Sequence, residues 1–373
     1  VTALAPVAPR ERVATLDVLR GLALVGVLIG NTAALYSARS WEGPPDKTRL
    51  DAIVHFVVML LVDSKAQTVL TFLFGFGFAA QLLRAEARHE PVLGLYLRRL
   101  VVLGGFGVLH VMLWFGDVTW TYAVAGFALL LFLRASDRTL LVWAFVLCLV
   151  PFTIATTRPV VAAMVHLVGG HEVLDHTRNA FLAALHGKRF LAVVAPHLRF
   201  SLAFQAPLFL WYYPWLVGRF LFGYVAGRQR WFDDDGAHHL PLFRQLLVYG
   251  LATELPSVAL LIAFFTGVFH RHAPGLALQM TFSVARELGL LGLAGAYIAI
   301  VVLLMQRARW RRLLILLAPA GRMPLTTYIS QSVISTFIYY GWGLGLAGKL
   351  HTAASVGLAL VIFTVQVCLC HLW

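Results

Sequence analysis

The sequence predicts an all-α protein, a polytopic membrane bundle of about ten transmembrane helices with a cytoplasmic N-terminus. Three observations carry this reading. Of 373 residues, 60% are hydrophobic and 13% are charged, whereas a soluble domain carries about 25% charged and about 45–50% apolar residues. No soluble fold of this size hides that much apolar surface, so lipid must cover it. Apolar runs of membrane-spanning length, roughly 17–25 residues, recur along the chain. The cations also collect in alternate connecting segments.

In chain order the apolar runs are 18–35, 68–83, 100–115, 119–133, 140–156, 202–225, 246–269, 284–305, 325–342 and 353–372. The first run holds Asp17 and Arg20 at its mouth and has no small-residue cleavage site behind it, so it reads as a retained span rather than a signal peptide. The stretch 50–62 is too short to span and reads as an interfacial helix or a lead into the second span. The segment at about 158–200 carries apolar residues at helical spacing (Val160, Met164, Val165, Leu167, Phe181, Leu182, Leu185) and reads as amphipathic helices on the outer face. It divides one integral membrane domain into a five-span half over 14–157 and a second over 201–373.

Charge fixes the orientation. With ten spans and the N-terminus inside, cytoplasmic segments hold Arg10, Arg12, Arg84, Arg88, Arg98, Arg99, Arg134, Arg138, Arg228, Arg230, Arg244, Arg307, Arg309, Arg311, Arg312 and Arg322. The short outer loops hold only Arg39, Lys47, Arg49, Lys65, Arg271 and Lys349. This is the positive-inside bias. The net charge of +13 therefore reads as topology and contact with anionic membrane lipids, not as a nucleic-acid surface. Cys148, Cys368 and Cys370 lie in apolar runs and suggest neither a disulfide framework nor a metal site. The outer histidines (His166, His171, His176, His186, His197) lack the i, i+4 spacing of helix-borne metal ligands, so no metal is expected there.

Polar residues retained inside apolar runs are the candidates for function. Asp17 and Arg20 lie one turn apart on one helix face and can pair. Two roles are open to them: a cap with an arginine anchoring the helix at the surface, or an arginine turned inward to hold an anion with Asp17 orienting it. Asn31, at the far end of that helix, must hydrogen-bond within the protein, either as glue between helices or as a site residue. Gly21 and Gly26 allow close helix packing.

The densest polar cluster is His110, Trp114, Gly116, Asp117, Thr119, Thr121 and Tyr122. Asp117 falls two turns beyond His110 on the same face if the helix continues. A carboxylate beside a histidine is the minimum apparatus for general-base catalysis. The alternative is a buried histidine satisfied by a carbonyl or by Tyr122. The ninth run opens Gly321-Arg322-Met323-Pro324-Leu325-Thr326-Thr327-Tyr328 and continues to Gln331-Ser332. Pro324 suits a first helical turn, and the helix start beside Arg322 suits an anion. Thr327, Tyr328 and Gln331 are expected to face inward, as site residues or as packing glue. Arg219, Glu254, Arg286 and Glu287 mark a polar bundle interior, with Arg219–Glu254 one plausible pair.

Four stretches together resemble the YeiB-like bacterial membrane proteins (domain of unknown function 418): Leu16-Asp17-Val18-Leu19-Arg20-Gly21 running to Asn31; Thr71-Phe72-Leu73-Phe74-Gly75-Phe76-Gly77-Phe78; His110 through Gly116-Asp117 to Tyr122-Ala123; and Gly321 to Ser332 followed by Gly343-Leu344-Gly345-Leu346. The family's usual Gly-Pro-Leu-Glu-Trp type tail has no counterpart at His371-Leu372-Trp373. The resemblance implies a multi-pass protein of the bacterial inner membrane. More distantly, the first span is similar to the Asp-x-x-Arg-Gly opening of the transmembrane acyltransferases (acyltransferase-3 and the heparan glucosaminide N-acetyltransferases). That likeness implies an acyl group taken from cytoplasmic acyl-CoA, as a co-substrate and not a covalently bound cofactor, and passed to an outward-facing sugar, lipid or small-molecule acceptor. His110 and Asp117 would then be catalytic. Asp17, Arg20, Asn31, Tyr122, Arg322, Tyr328 and Gln331 would bind substrate. Where acyltransferase-3 proteins carry a histidine in the first span, this chain has Asn31, so either His110 would have to be the base or the chemistry would be lost. Two further classes fit the same polar interior: a transporter or lipid-handling protein without covalent chemistry, and a membrane sensor or assembly partner.

Overall fold

A computed structural model of the chain describes residues 13–42, 48–89, 92–167, 169–208, 210–265 and 275–372. Arg10, Arg12, Lys47 and Arg271, counted above for orientation, lie outside the described residues. Among those residues the fold is all-α, without strands. The first half runs α1 (Ala14–Asn31), a π-helical turn (Thr32–Tyr36), the short α2 (Arg39–Glu42), α3 (Arg49–Leu61), α4 (Lys65–Ala87), α5 (Val92–Leu113), α6 (Thr119–Ala128) and α7 (Asp137–Ala155). The outer segment forms α8 (Arg158–Leu167), α9 (Gly170–Leu185) and α10 (Phe190–Leu208). Then come α11 (Tyr212–Arg228), α12 (Leu240–Phe265), α13 (Leu276–Met305), α14 (Ala308–Leu314), α15 (Ala318–Arg322), α16 (Pro324–Tyr339) and α17 (Thr352–Leu372).

Each apolar run is mainly helical where described, but the helices are unequal in length. Six stretches among the described residues are long and apolar enough to cross a membrane: Ala14–Glu42, Arg49–Ala87, Leu93–Leu113, Asp137–Ala155, Leu276–Met305 and Thr352–Leu372. A seventh is counted if Ala308–Arg322 and Pro324–Tyr339, bent by 80°, form one broken span. The expected count of ten is not reached by length. The stretch Thr119–Phe132 rises only about 21 Å at 1.5 Å per residue, short of the ~30 Å hydrocarbon core. The sixth run, 202–225, is divided between α10 and α11.

Glycine sets the tightest helix contacts. Lipid offers no hydrophobic drive between helices, so close approach of small residues carries the packing. A Cβ at Gly75 of α4 would strike the Phe220 carbonyl of α11, and one at Gly223 of α11 would strike the Phe72 carbonyl of α4. Gly75, the first glycine of the Gly-Phe-Gly motif of the second run, thus makes a helix–helix contact. In the same way Gly21 faces the Leu317 carbonyl and Gly321 faces the Asp17 carbonyl, which draws the α15–α16 bend onto the start of α1.

The buried ion pair is not the one expected. Arg219 bonds Glu287 at 2.8 Å, with both side chains essentially inaccessible, and its guanidinium lies 3.2 Å from the centre of the Trp215 ring. Glu254 instead meets Lys65 at 3.8 Å. Lys65, counted as an outer-loop cation, opens α4 and is buried. The reason is geometric: Glu287 sits on the face of α13 buried against the bundle, whereas Glu254 faces the α3–α4 junction.

The outer segment is packed onto the bundle. Phe181 and Leu185 of α9 and Val193, His197 and Phe200 of α10 are buried, against Phe115 and Trp41. Each large apolar side chain so buried contributes about 1.5–3 kcal/mol.

Two outcomes are expected in thermal unfolding of the detergent-solubilised protein. Gly75→Val destabilises by at least about 1–3 kcal/mol through overpacking, while Gly105→Ala, with nothing within 4 Å of its added carbon, melts like the wild type. Glu287→Ala costs about 3–5 kcal/mol because Arg219 is left charged and buried, and the apolar double replacement Arg219→Met with Glu287→Leu recovers most of that loss.

Candidate functional site

The chain brings the expected site residues together in two places joined by shared helices. The first is built around the end of α5. His110 Nδ1 lies 2.7 Å from Asp117 Oδ1, and both residues are buried, at 4% and 3% exposure. The pair forms across a helix end, not along one continuing helix. α5 stops at Leu113, the chain turns through Trp114–Val118, and α6 starts at Thr119. A Cβ at Gly116 would collide with the Trp114 ring, so glycine permits this turn.

Asp117 caps α6. Its Oδ1 accepts the Thr119 backbone N–H at 3.1 Å and the Thr119 hydroxyl at 2.7 Å, and its Oδ2 accepts the Trp120 N–H at 2.7 Å. Every neighbour donates, which is the environment of an ionised, acceptor-only carboxylate. Asp117 therefore receives the Nδ1–H of His110, and when the imidazole is neutral Nε2 carries the lone pair. Nε2 is buried and has no hydrogen-bond partner. A buried nitrogen left bare while its sister atom is held by a carboxylate is the arrangement that general-base chemistry requires.

Aromatic rings fix the histidine from two sides. Tyr328 of α16 and Trp114 meet the His110 ring edge-on, with centroids 5.2 and 5.9 Å away. The Tyr328 hydroxyl accepts the Val118 N–H at 3.3 Å. Tyr36 stacks on Trp114 at 4.5 Å and donates to Ser332 Oγ of α16 at 2.7 Å. Tyr36 and Thr32 belong to the π-helical turn that follows α1, a geometry frequent at functional sites. Thr32 is fully buried and its hydroxyl is unpartnered. The sequence reading passed over both residues. Their signal was a hydroxyl and a phenol at the tail of an otherwise apolar run.

The other candidates fall as follows. Gln331 is buried on α16 with its amide nitrogen unpartnered. Asn31 is half-buried as the last residue of α1. Tyr122 does not join the histidine: its ring packs on Phe74 and Phe220, and its hydroxyl is buried and unpartnered. Of the His110 partners considered from the sequence, Asp117 is the one realised.

The second place lies where α1 and α16 begin and α4 and α11 end. Arg20 Nη1 bonds Asp17 Oδ1 at 2.8 Å, and Arg322 reaches the other carboxylate oxygen at 3.8 Å. With Arg84 and Arg230 these residues line a cavity of about 490 Å³. The guanidinium of Arg99 on α5 comes within 4.0 Å of the space beside Gly77, and Gly77 also lines the cavity. Asp17 and Asp233 are the acidic side chains lining it, so cations prevail. Planar guanidinium forks held in this way suit phosphate oxygens. Among the described residues no group of three or more His, Cys, Asp or Glu could hold a metal ion.

The two places share helices. Arg99 and His110 lie on α5, eleven positions or about 16 Å apart at 1.5 Å per residue. α16 runs from the Arg322 bend to Tyr328, Gln331 and Ser332.

Comparison with known proteins agrees on one lineage. The profile of a family described as "Protein of unknown function (DUF418)" matches residues 226–373. The chain is 30% identical over 411 aligned positions to "Uncharacterized protein YxaH" of Bacillus subtilis (strain 168), covering 100% of this chain and 92% of that protein. It is 25% identical to "Uncharacterized 39.9 kDa protein in amylase 3'region" of Bacillus acidopullulyticus, over 99% of this chain and 90% of that one. It is 26% identical to "Uncharacterized protein YeiB" of Escherichia coli (strain K12), over 90% and 85% of the two chains. No solved structure matches. With its family motifs spread over α1, α4, the α5–α6 turn and α16, the chain belongs to the YeiB-like DUF418 family of multi-pass membrane proteins.

Proposed function

We propose that this protein is a transmembrane acyltransferase that takes an acyl group from acyl-CoA at the arginine-lined cavity and delivers it to an acceptor hydroxyl or amine beside His110. The observation that carries the reading is His110 itself. Its Nδ1 is held by an acceptor-only carboxylate, its Nε2 is buried and bare, and it stands on the helix that also carries Arg99 near Gly77 of the cationic cavity. By the charge bias that cavity faces the cytoplasm, where acyl-CoA is found.

The residues divide the work. Arg20, Arg84, Arg230 and Arg322 hold donor phosphates, with Asp17 orienting Arg20 and Arg322. The acyl arm lies along α5 and α16 towards Tyr328. The acceptor O–H or N–H gives its proton to His110 Nε2 as its heteroatom bonds the thioester carbonyl carbon. Asp117 stabilises the imidazolium so formed. The C–S bond then breaks, and the CoA sulfur leaves with the proton returned by His110. The α9–α10 pair, packed on Phe115 next to Trp114, covers the acceptor side and limits water.

The expected outcomes separate binding from chemistry. Acetyl-CoA raises the melting temperature of the wild type, as any ligand of the folded state must. Arg20→Gln and Arg322→Gln each weaken that stabilisation, by about tenfold in affinity for the loss of a charge-assisted phosphate contact. His110→Ala still binds acetyl-CoA but loses acyl transfer by about 10²–10⁴-fold, scored by release of free CoA thiol. Asp117→Asn retains an acceptor oxygen for the α6 cap yet loses activity to a similar degree, because it unsettles the tautomer. Absence of any acyl-CoA effect on the wild-type melt rejects the proposal.

A further inference from the structure

A second polar cavity, of about 420 Å³, lies apart from the histidine and the arginine cluster, between the α3–α4 junction, α7, α12 and α13. Its charged lining is balanced: Asp63 and Glu254 against Lys65 and Arg286. Two of these charges lie deep along membrane helices. Glu254 is fourteen positions after the start of α12 and Arg286 ten positions after the start of α13, so they lie about 21 and 15 Å along their helices. Positions this far along a helix lie within a ~30 Å hydrocarbon core when that helix spans it. The α3–α4 span is broken at the same level. Val62–Ser64 leave the helix, with Ser64 at a left-handed φ of 61°, and non-helical backbone at such depth is tolerated where it lines a cavity.

The charges are not spent on one another. Glu254 and Lys65 stand 3.8 Å apart, beyond a direct hydrogen bond. Glu254 is 7% exposed, and its Oε2 is buried with no partner. Lys65 gives one hydrogen bond, to the Met59 carbonyl at 3.2 Å, out of three it can donate. Arg286 forms no ion pair among the described residues. Ionisable groups kept at this cost inside a membrane mark a ligand path.

We propose that this cavity binds the headgroup of a zwitterionic aminophospholipid, phosphatidylethanolamine in class. Lys65 and Arg286 would take the phosphate, and Glu254 and Asp63 the ammonium. A primary ammonium donates hydrogen bonds to carboxylates, which a quaternary ammonium cannot do. Among the remaining lining, the hydroxyls of Thr156, Ser257 and Ser283 suit the headgroup, and Leu60, Leu260, Phe282 and Leu290 suit acyl chains. Residues adjoining the lining, Leu61, Leu255 and Ile154, are 44%, 69% and 46% exposed. Large apolar side chains exposed at membrane depth face lipid, so the mouth opens to the bilayer and not to water. The proposal is independent of acyl transfer.

Native mass spectrometry of the full chain in detergent tests it, with phosphatidylethanolamine, phosphatidylglycerol and phosphatidylcholine of matched acyl chains in equal amounts and soluble glycerophosphoethanolamine as a separate arm. Phosphatidylethanolamine is expected to be retained at least about tenfold over the other two lipids, a preference that desolvated charge pairs can supply. Glu254→Gln and Arg286→Gln are each expected to remove it. Equal retention of the three lipids overturns the proposal. So does binding of the chain-free headgroup as tight as that of the lipid, which would make the site one for a soluble zwitterion. Should either variant fail to fold, the wild-type competition decides alone.

Discussion

A charge inside a bilayer must be answered by the protein, because hydrocarbon offers no hydrogen bond. The fold follows from how that demand is met. Arg219 is answered by Glu287 and by the face of Trp215, which ties α11 to α13. Asp17 is answered by Arg20 and Arg322, which ties the start of α1 to the α15–α16 bend. Asp117 is answered by two backbone amides, a hydroxyl and His110, which ties α5 to α6. Glycines then allow the backbones to approach closely enough for these pairs to form. The groups that remain unanswered, His110 Nε2 and Glu254 Oε2 above all, are where a ligand has something to gain.

The dyad and the arginine cavity form one apparatus if a donor can reach from one to the other. Two helices make that reach short. α5 carries Arg99 and His110 on one rigid rod, and α16 carries Tyr328 and Ser332 from the bend at Arg322. The aromatic enclosure of Tyr36, Trp114 and Tyr328 gives the histidine an apolar surround, in which a proton transfer competes little with water. On the proposed reading, the base that acyltransferase-3 proteins carry in the first span, where this chain has Asn31, would stand instead on α5 and be oriented from the α6 cap.

Much of this was legible in the sequence, for specific reasons. The Asp17–Arg20 pair follows from helical spacing, and the burial of Thr327, Tyr328 and Gln331 from their place on one helix beyond Pro324. The His110–Asp117 contact was expected, but its geometry was not. Seven residues read as two helical turns, whereas Gly116 and the Asp117 cap make a turn there. The partners of Arg219 and Glu254 were out of reach, because long-range pairing depends on how α11, α12 and α13 rotate against one another. Lys65 was misplaced because a break within a span looks, in sequence, like a loop outside it. Among the described residues six spans, or seven with the bent pair, stand against the ten expected, because an apolar run gives composition and only the helix gives length. Tyr36 and Thr32 became visible only through the π-helical turn that aims them.

The most direct test of the central claim is an experimental structure of the protein with a thioether analogue of acetyl-CoA, which binds but cannot transfer. The account requires analogue phosphates within hydrogen-bond range of at least two of Arg20, Arg84 and Arg322. It also requires the analogue's ketone carbon (S–CH2–CO–CH3), standing in for the thioester carbonyl carbon, on the Nε2 side of His110, with room for an acceptor atom about 3–3.5 Å from that carbon. An analogue bound elsewhere, or one whose carbonyl lies away from His110, would contradict it.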